Sequence, residues 1–171
     1  MKYPKLHIDN EAQELYTQAK DVYAIAEYLN IREKEWIVWE MCWGAGDMAR
    51  ALNEAGCMVC GDPEMDCFKD EPGEYDCIIT NPPFRNNKDF LQRAIDSKKP
   101  FAMILRLEHL GGVRAYDLLN NFDFQIIIPK RRITFITPEM RKGGKDVGSP
   151  FHSIWITHGF NLPKQINYLD I

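Results

Sequence analysis

The stretch WIVWEMCWGAGDMARALNEA, residues 36–55, decides the fold. Its first six residues form a nearly continuous apolar run, which is typical of a strand buried on both faces of a sheet. Gly44 and Gly46 follow directly, and residues 46–55 have helical character. Glycines at alternate positions let a backbone turn tightly and approach a ligand closely. The stretch therefore predicts a strand, a ligand-facing turn and a helix.

The same alternation continues along the chain. We expect further strands over 58–62, 75–81, 101–107, 124–129, 132–136 and 152–160, and further helices over 10–29, capped by Asn10, and over 88–96 and 112–122. Apolar strands that alternate with helices predict an open α/β fold with a mostly parallel sheet, covered by helices on both faces. The last three strands lack clear intervening helices, which predicts an antiparallel C-terminal edge. Ligands of such sheets bind at the carboxyl ends of the strands.

Size and composition indicate one soluble domain over residues 1–171. The chain is 45% hydrophobic and 27% charged, the profile of a globular protein. It has no apolar run of about 18 residues and no apolar signal core at its N-terminus, so we expect neither a membrane partner nor export. Its five cysteines, an odd number, fit a reducing compartment, and the cytoplasm is the expected location.

The net charge of −4 counts against a large phosphate-gripping surface. Basic residues nevertheless crowd one region, and we regard them as candidate substrate-binding residues: Arg131, Arg132, Arg141, Lys142 and Lys145, with Lys130 beside them. The segment 137–150 is the only sizeable insertion, and no separate large target-recognition domain fits after residue 84. A short substrate-contacting segment and an ordinary solvated loop are both open interpretations.

The second predicted strand ends in Asp62, where a carboxylate is placed to accept hydrogen bonds from ribose hydroxyls. The full pattern G-x-G-x-x-G is absent, because Arg50 follows where a third glycine would fall nearby. This absence counts against a ligand with a pyrophosphate, such as NAD. The combination favours a nucleoside ligand without phosphates.

The strand over 75–81 runs straight into Asn81-Pro82-Pro83-Phe84. This NPPF sequence, together with the glycine turn and Asp62, resembles the class I S-adenosylmethionine-dependent amino-methyltransferases, and most closely the small phage-type adenine-specific DNA methyltransferases. The resemblance implies a Rossmann-like methyltransferase fold, S-adenosylmethionine as cofactor, DNA as partner and catalytic roles for residues 81–84. It also implies a set of cofactor-binding residues: Tyr16, Thr17, Glu40, Cys42, Gly44, Gly46, Asp62, Pro63, Asp66 and Phe68.

NPPF also has a chemical rationale of its own. An exocyclic amine on an aromatic base is a poor nucleophile, because its lone pair is delocalised into the ring. If the Asn81 side-chain oxygen and the Pro82 carbonyl accept its hydrogens, the lone pair is freed to attack a sulfonium methyl group. Rigid prolines hold such acceptors still. Phe84 would stack on the base, which must leave a duplex to reach the site.

Several alternatives stay open at this stage. RNA adenine and protein glutamine methylases share the NPPF chemistry, although glutamine methylation usually favours Tyr at position 84. A cofactor-binding regulatory module without transfer activity is a further possibility, as are a core role for Phe84 and a plain loop role for Asp66. Cys57-x-x-Cys60 with Cys67 matches part of a zinc site, but no further pair completes it, and we expect no metal. A monomer and a homodimer are both compatible with the sequence.

Overall fold

The computed structural model describes residues 15–137, 143, 149 and 151–171. Its four helices are α1 (Ala19–Tyr28), α2 (Asp47–Glu54), α3 (Asn87–Asp96) and α4 (Val113–Leu119), with a 3-10 helix at Leu107–Leu110. Its strands are β1 (Tyr16–Thr17), β2 (Ile37–Trp39), β3 (Met58–Cys60), β4 (Cys77–Thr80), β5 (Phe101–Arg106), β6 (Gln125–Pro129), β7 (Phe135–Ile136), β8 (Ser153–His158) and β9 (Ile166–Leu169).

Seven of these strands form one sheet in the order β3-β2-β4-β5-β8-β6-β9. All neighbours are parallel except the two pairs that include β8. The predicted mostly parallel α/β fold is confirmed. The antiparallel strand, however, lies inside the sheet rather than at its edge. The reason is burial: β8 is buried along nearly all its length, and β5 and β6 cover its two sides.

Helices cover both faces of the sheet, as the apolar strands predicted. Alternate residues of each strand enter different cores: in β4, Ile79 packs in the core beneath α1 and α2, whereas Ile78 packs in the core beneath α3 and α4. Within the described part of the chain, no helix is long and apolar enough to cross a membrane.

The N-terminal prediction needs correction. The helix predicted over 10–29 begins at Ala19 among the described residues, and the proposed cap at Asn10 lies outside them. Residues Tyr16–Thr17 form β1, which pairs with β7 in a separate two-stranded ribbon. The strand predicted over 132–136 is thus reduced to β7 and belongs to this ribbon, because its partner is β1 rather than a strand of the main sheet.

Strand β9 was not predicted from the sequence. It is a short edge strand with alternating exposed and buried residues, so it lacks the continuous apolar run of the inner strands. The other predicted strands and helices agree with the structure to within three residues at each end. Agreement is best where a buried strand passes directly into a turn and a helix, and these junctions form the site.

Candidate functional site

A cavity of about 340 Å³ opens at the carboxyl ends of β2, β3 and β4. This is the edge at which open α/β sheets bind ligands. The cavity brings together all the predicted catalytic residues, Asn81, Pro82, Pro83 and Phe84, and nearly all the predicted cofactor-binding residues, which are Tyr16, Thr17, Glu40, Cys42, Gly44, Asp62, Pro63, Asp66 and Phe68.

The remaining predicted residues lie elsewhere. Gly46 is not among the described residues that line the cavity. It precedes α2 with a left-handed φ of 76°, so it shapes the turn rather than a ligand surface. Arg131 and Arg132 are exposed and away from the cavity wall. Arg141, Lys142 and Lys145 lie outside the described residues.

Gly61 lets the turn after β3 lie close to Trp43 and to the end of β2. A Cβ added at Gly61 would lie 2.8 Å from the carbonyl oxygen of Glu40 and 2.9 Å from the Trp43 ring, and Gly61 has a φ of 132°. Any other residue would therefore push the two loops apart. Gly61 was missed by the sequence analysis, although a glycine directly before Asp62 at the end of a strand was the available signal.

Glu40 is a buried carboxyl group whose two oxygens differ. Its Oε1 accepts hydrogen bonds from the backbone N–H of Cys42 at 2.9 Å and from the hydroxyl of Thr80 at 2.6 Å. Its Oε2 is buried without a hydrogen-bond partner among the described residues. Burial raises the pKa of Glu40 to about 7, against the lowering effect of the two hydrogen bonds. The cavity thus contains a carboxyl oxygen that is free to meet a ligand.

Thr80 joins the ends of two neighbouring strands. Its hydroxyl donates to Glu40 after β2, and it accepts the Cys42 backbone N–H at 3.1 Å. Thr80 itself is the last residue of β4, directly before Asn81. The turn after β2 and the NPPF segment are therefore held together by one buried hydroxyl group.

The Asn81 amide has a defined orientation. Its Nδ2 donates a hydrogen bond of 2.7 Å to the backbone carbonyl oxygen of Leu15. Its Oδ1 is buried and has no hydrogen-bond partner in the described parts of the chain. Because the amide nitrogen is engaged, the free group at the cavity is an acceptor. Leu15 was not predicted as a site residue, and its contribution is a main-chain oxygen, for which side-chain identity provides no signal.

Phe84 lines the cavity and also belongs to the core, with only 8% of its surface exposed. Its ring packs edge-on against Phe135 and Phe151, with centroid distances of 5.7 and 5.1 Å. The guanidinium of Arg106 lies 4.8 Å from the ring centre. Phe84 therefore forms part of the cavity wall, and its packing against Phe135, Phe151 and Arg106 fixes the position of its ring.

Asp62 and Asp66 shape the loop that follows β3, and both residues line the cavity. Asp62 accepts the backbone N–H of Glu64 at 2.7 Å. Asp66 accepts the backbone N–H of Phe68 and forms an ion pair of 2.6 Å with Lys69, and its side-chain hydrogen bond to Lys69 holds the pKa of Asp66 below its usual range. Both carboxylates thus order the loop in addition to facing the cavity.

The cysteines divide between the two faces of the sheet. Cys57 is buried in the core beneath α1 and α2, whereas Cys60 packs against the other core, so the two thiols do not converge on one metal. Cys67 lines the cavity beside Cys42, and burial raises the pKa of the Cys42 thiol. Among the described residues, no group of three or more potential metal ligands comes together.

Most of the lining residues that the sequence analysis missed are apolar. Met48 lies in the first turn of α2 and Phe90 in the first turn of α3, the helices that follow β2 and β4. Phe68 packs on Phe90 with a centroid distance of 4.8 Å. The signal for these residues was positional, because the first turn after each inner strand faces the carboxyl edge. The other missed residues are Leu15, Met41, Trp43, Asp47, Met65 and Cys67.

No protein-family model and no curated protein sequence matches this chain. Several solved structures, by contrast, match this chain. The modification subunit of a proposed type I restriction enzyme from Vibrio vulnificus superposes with a TM-score of 0.61 at 14% identity, over 95% of this chain and 48% of that chain. A proposed RNA methyltransferase from Pyrococcus horikoshii superposes with a TM-score of 0.51 at 13% identity, over 91% of this chain and 90% of that chain. The fold is that of the class I methyltransferases.

A third structure with this class I methyltransferase fold is a proposed class I S-adenosylmethionine-dependent methyltransferase from Listeria monocytogenes. It gives a TM-score of 0.51 at 12% identity, over 98% of this chain and 68% of that chain. The present chain spans about half the length of the Vibrio subunit. The cavity described above lies at the edge where sheets of this type bind ligands.

Proposed function

We propose that this chain transfers a methyl group from S-adenosylmethionine to the exocyclic N6 amine of adenine in DNA. The observation that carries the proposal is the Asn81 amide. Its nitrogen donates to the Leu15 carbonyl, and its oxygen is a buried acceptor in the wall of the cavity with no partner among residues 15–137 and 151–171. An amine hydrogen is the partner that such an oxygen lacks.

The polar atoms of the cavity fit S-adenosylmethionine. Thr17 and Glu40 both line the cavity, and each has a buried side-chain oxygen without a partner among the described residues, which an ammonium or hydroxyl group would satisfy. The exposed carboxylate of Asp62 suits ribose hydroxyls, and Phe68 with Pro63 offers apolar surface to a purine ring. When bound, the cofactor supplies an electrophilic methyl group.

Residues 81–84 would act on the acceptor amine. Asn81 Oδ1 accepts one amine hydrogen, and the Pro82 carbonyl is the second acceptor that we assign. Together they would draw the lone pair out of conjugation. The amine nitrogen would then bond to the methyl carbon as the sulfur–carbon bond breaks, and the methylated amine would lose one proton to water, so no strong base is required. Phe84 would hold the plane of the base, and the aromatic and cationic groups packed behind it keep that wall in place. Positioning and electrostatic stabilisation thus account for the chemistry.

DNA is the favoured acceptor because NPPF resembles the adenine-specific DNA methylases and because the Vibrio neighbour is a restriction-enzyme modification subunit. RNA is the second candidate. It is favoured by the Pyrococcus neighbour, because the superposition covers 90% of that protein and so includes nearly all of it. Arg131, Arg132, Arg141, Lys142 and Lys145 are the proposed phosphate contacts in either case.

Asn81→Ala tests the catalytic assignment. The chain is incubated with labelled methyl donor and, separately, with DNA, RNA and protein, and the modified nucleoside or residue is identified by mass spectrometry. Loss of one preorganised hydrogen-bonding group costs about 10²–10³ in kcat, so turnover should fall by this factor while cofactor affinity stays unchanged. N6-methyladenine in RNA alone would transfer the proposal to RNA.

Asn81→Asp is the matched variant, because it keeps the shape and one acceptor oxygen but removes the donor to Leu15. It should therefore lose the fixed orientation of the group and show lower kcat with little change in cofactor binding. Wild-type turnover in Asn81→Ala would overturn the assignment of Asn81.

A further inference from the structure

Arg106 lies immediately outside the cavity wall. It is the last residue of β5, and because β4 and β5 are parallel neighbours it lies at the same edge of the sheet as Asn81. Its guanidinium is 4.8 Å from the ring centre of Phe84 and 3.9 Å from that of Phe151. Arg106 is not among the described residues that line the cavity, so it packs on Phe84 from the outer side.

The guanidinium of Arg106 has unused hydrogen-bond donors. Its Nε is buried with no partner in the described residues, and its Nη1 is 3.8 Å from Glu108 Oε1, which is longer than a hydrogen bond. Burial lowers the pKa of Arg106, and Glu108 opposes this effect. Arginine nevertheless stays charged in proteins and presents five N–H donors. A fixed cation with free donors is therefore held beside the proposed base wall.

Charged groups of both signs surround Arg106: Arg85 and Lys88 are basic, and the carboxylate of Glu108 lies 3.8 Å from its guanidinium. The ring of His109 lies 6.4 Å from that of Phe84. Burial lowers the pKa of His109, and the charges of Arg106 and Lys88 lower it further, against the raising effect of Glu108. Arg85 is exposed directly after Phe84. The rim next to the NPPF segment thus offers the cations of Arg85, Lys88 and Arg106 to an anionic ligand, with Glu108 as the acidic group beside them.

We propose that Arg106 binds a backbone phosphodiester of the nucleic-acid strand that carries the target base. The inference rests on the proposed function, because a base held at Asn81 leaves its sugar and phosphates outside the cavity wall that Phe84 forms. A planar guanidinium fork matches the oxygens of a phosphate, and aromatic stacking fixes its plane in advance. Arg106 is then a specificity residue that selects a polynucleotide over a free nucleoside or a protein side chain.

The test measures binding rather than turnover. The fluorescence anisotropy of a short, labelled, single-stranded DNA oligonucleotide that contains one adenine is recorded over a range of salt concentrations. Arg106→Gln should weaken binding about tenfold and reduce the salt slope by about 0.7, the value for one phosphate contact on a single strand. Arg32→Gln is the control with the same charge change, because Arg32 is exposed, pairs with Glu33 and lies outside the cavity. It should leave both quantities unchanged.

A second measurement uses the wild-type chain and does not depend on the folding of a variant. A strand with a neutral methylphosphonate at the linkages flanking the adenine should bind about tenfold more weakly than the natural strand. Arg106→Gln should bind the two strands equally, and Arg106→Lys should keep part of the discrimination. Wild-type affinity and salt slope in Arg106→Gln, or equal binding of both strands by the wild type, would overturn the inference.

The two proposals fail in different ways. If the wild type binds the natural strand in the predicted manner but methylates no nucleic acid, the proposed function is refuted and the phosphate contact stands. If the wild type methylates adenine but neutral linkages and Arg106→Gln have no effect on binding, the proposed function stands and the contact is refuted.

Discussion

Glu40 makes the cavity sensitive to pH at the scale of a single residue. The carboxyl group is only 2% exposed, and its pKa rises from the ordinary 4.5 to about 7 because burial disfavours the charge. Between these two pH values the unfolded chain has released the proton that the folded chain still retains. Stability therefore falls as the pH rises through this window, and it stays lower above it.

Glu40→Gln should remove this dependence. As the pH rises from 5 to 8, the free energy of unfolding of the wild type should decrease relative to that of the variant by about 3 kcal/mol at most. Urea unfolding at a series of pH values measures the difference. Glu27→Gln, on the exposed side of α1, should follow the wild type at every pH. Parallel profiles for wild type and Glu40→Gln would contradict the prediction.

At the scale of elements, the site depends on close contact between the turns that follow β2 and β3. Gly61 allows that contact, because its position leaves no room for a Cβ beside the Glu40 carbonyl and the Trp43 ring. The Thr80 hydroxyl then fixes the turn after β2 to the end of β4. The strand ends are thus spaced by backbone contacts and a single hydroxyl, which is a rigid way to shape a ligand cavity.

Gly61→Ala should weaken cofactor binding and destabilise the fold together. The left-handed φ and the clash with a backbone oxygen together cost about 1–3 kcal/mol. Calorimetric titration with S-adenosylhomocysteine and urea unfolding measure the two effects. Gly73→Ala is the matched control, because a Cβ at Gly73 meets no atom within 4 Å. Equal behaviour of the two variants would show that the turns do not need this contact.

The ribbon of β1 and β7 is the element that sequence patterns describe least well. A strand of two residues is too short to show a period, and its partner lies more than a hundred residues away in the chain. Residues 15–18 therefore looked like the start of the following helix. The NPPF segment and the glycine turn were predictable for the opposite reason: each combines an apolar strand with local turn chemistry in one short stretch.

At the scale of the whole molecule, the cavity is assembled from distant parts of the chain. Its walls come from residues 15–17, 40–44, 47–48, 62–63, 65–68, 81–84 and 90. The sequence analysis found the members that carry a recognisable side chain, such as Asn81 and Glu40. It did not predict the cluster of Arg106, Phe84 and Phe151, because long-range packing at a sheet edge leaves no local pattern.

A ligand that contacts all these walls should stabilise the entire fold. At a concentration of about 100 times Kd, S-adenosylhomocysteine should add about 2.7 kcal/mol, which raises Tm by about 5–10 °C for a chain of this size. Differential scanning calorimetry measures the shift. Adenosine alone, which would reach only the loop side of the cavity, should need a far higher concentration for the same shift. No shift at saturating ligand would refute the cofactor assignment.

The hydrogen bond from Asn81 to residue 15 uses only the main chain of its partner. Replacing the Leu15 side chain would therefore leave the amide orientation intact, and an alanine scan would pass over the residue that aims the acceptor. What position 15 must conserve is the course of its backbone, which the β1–β7 ribbon holds in place. An inserted or deleted residue there would rotate the acceptor out of alignment.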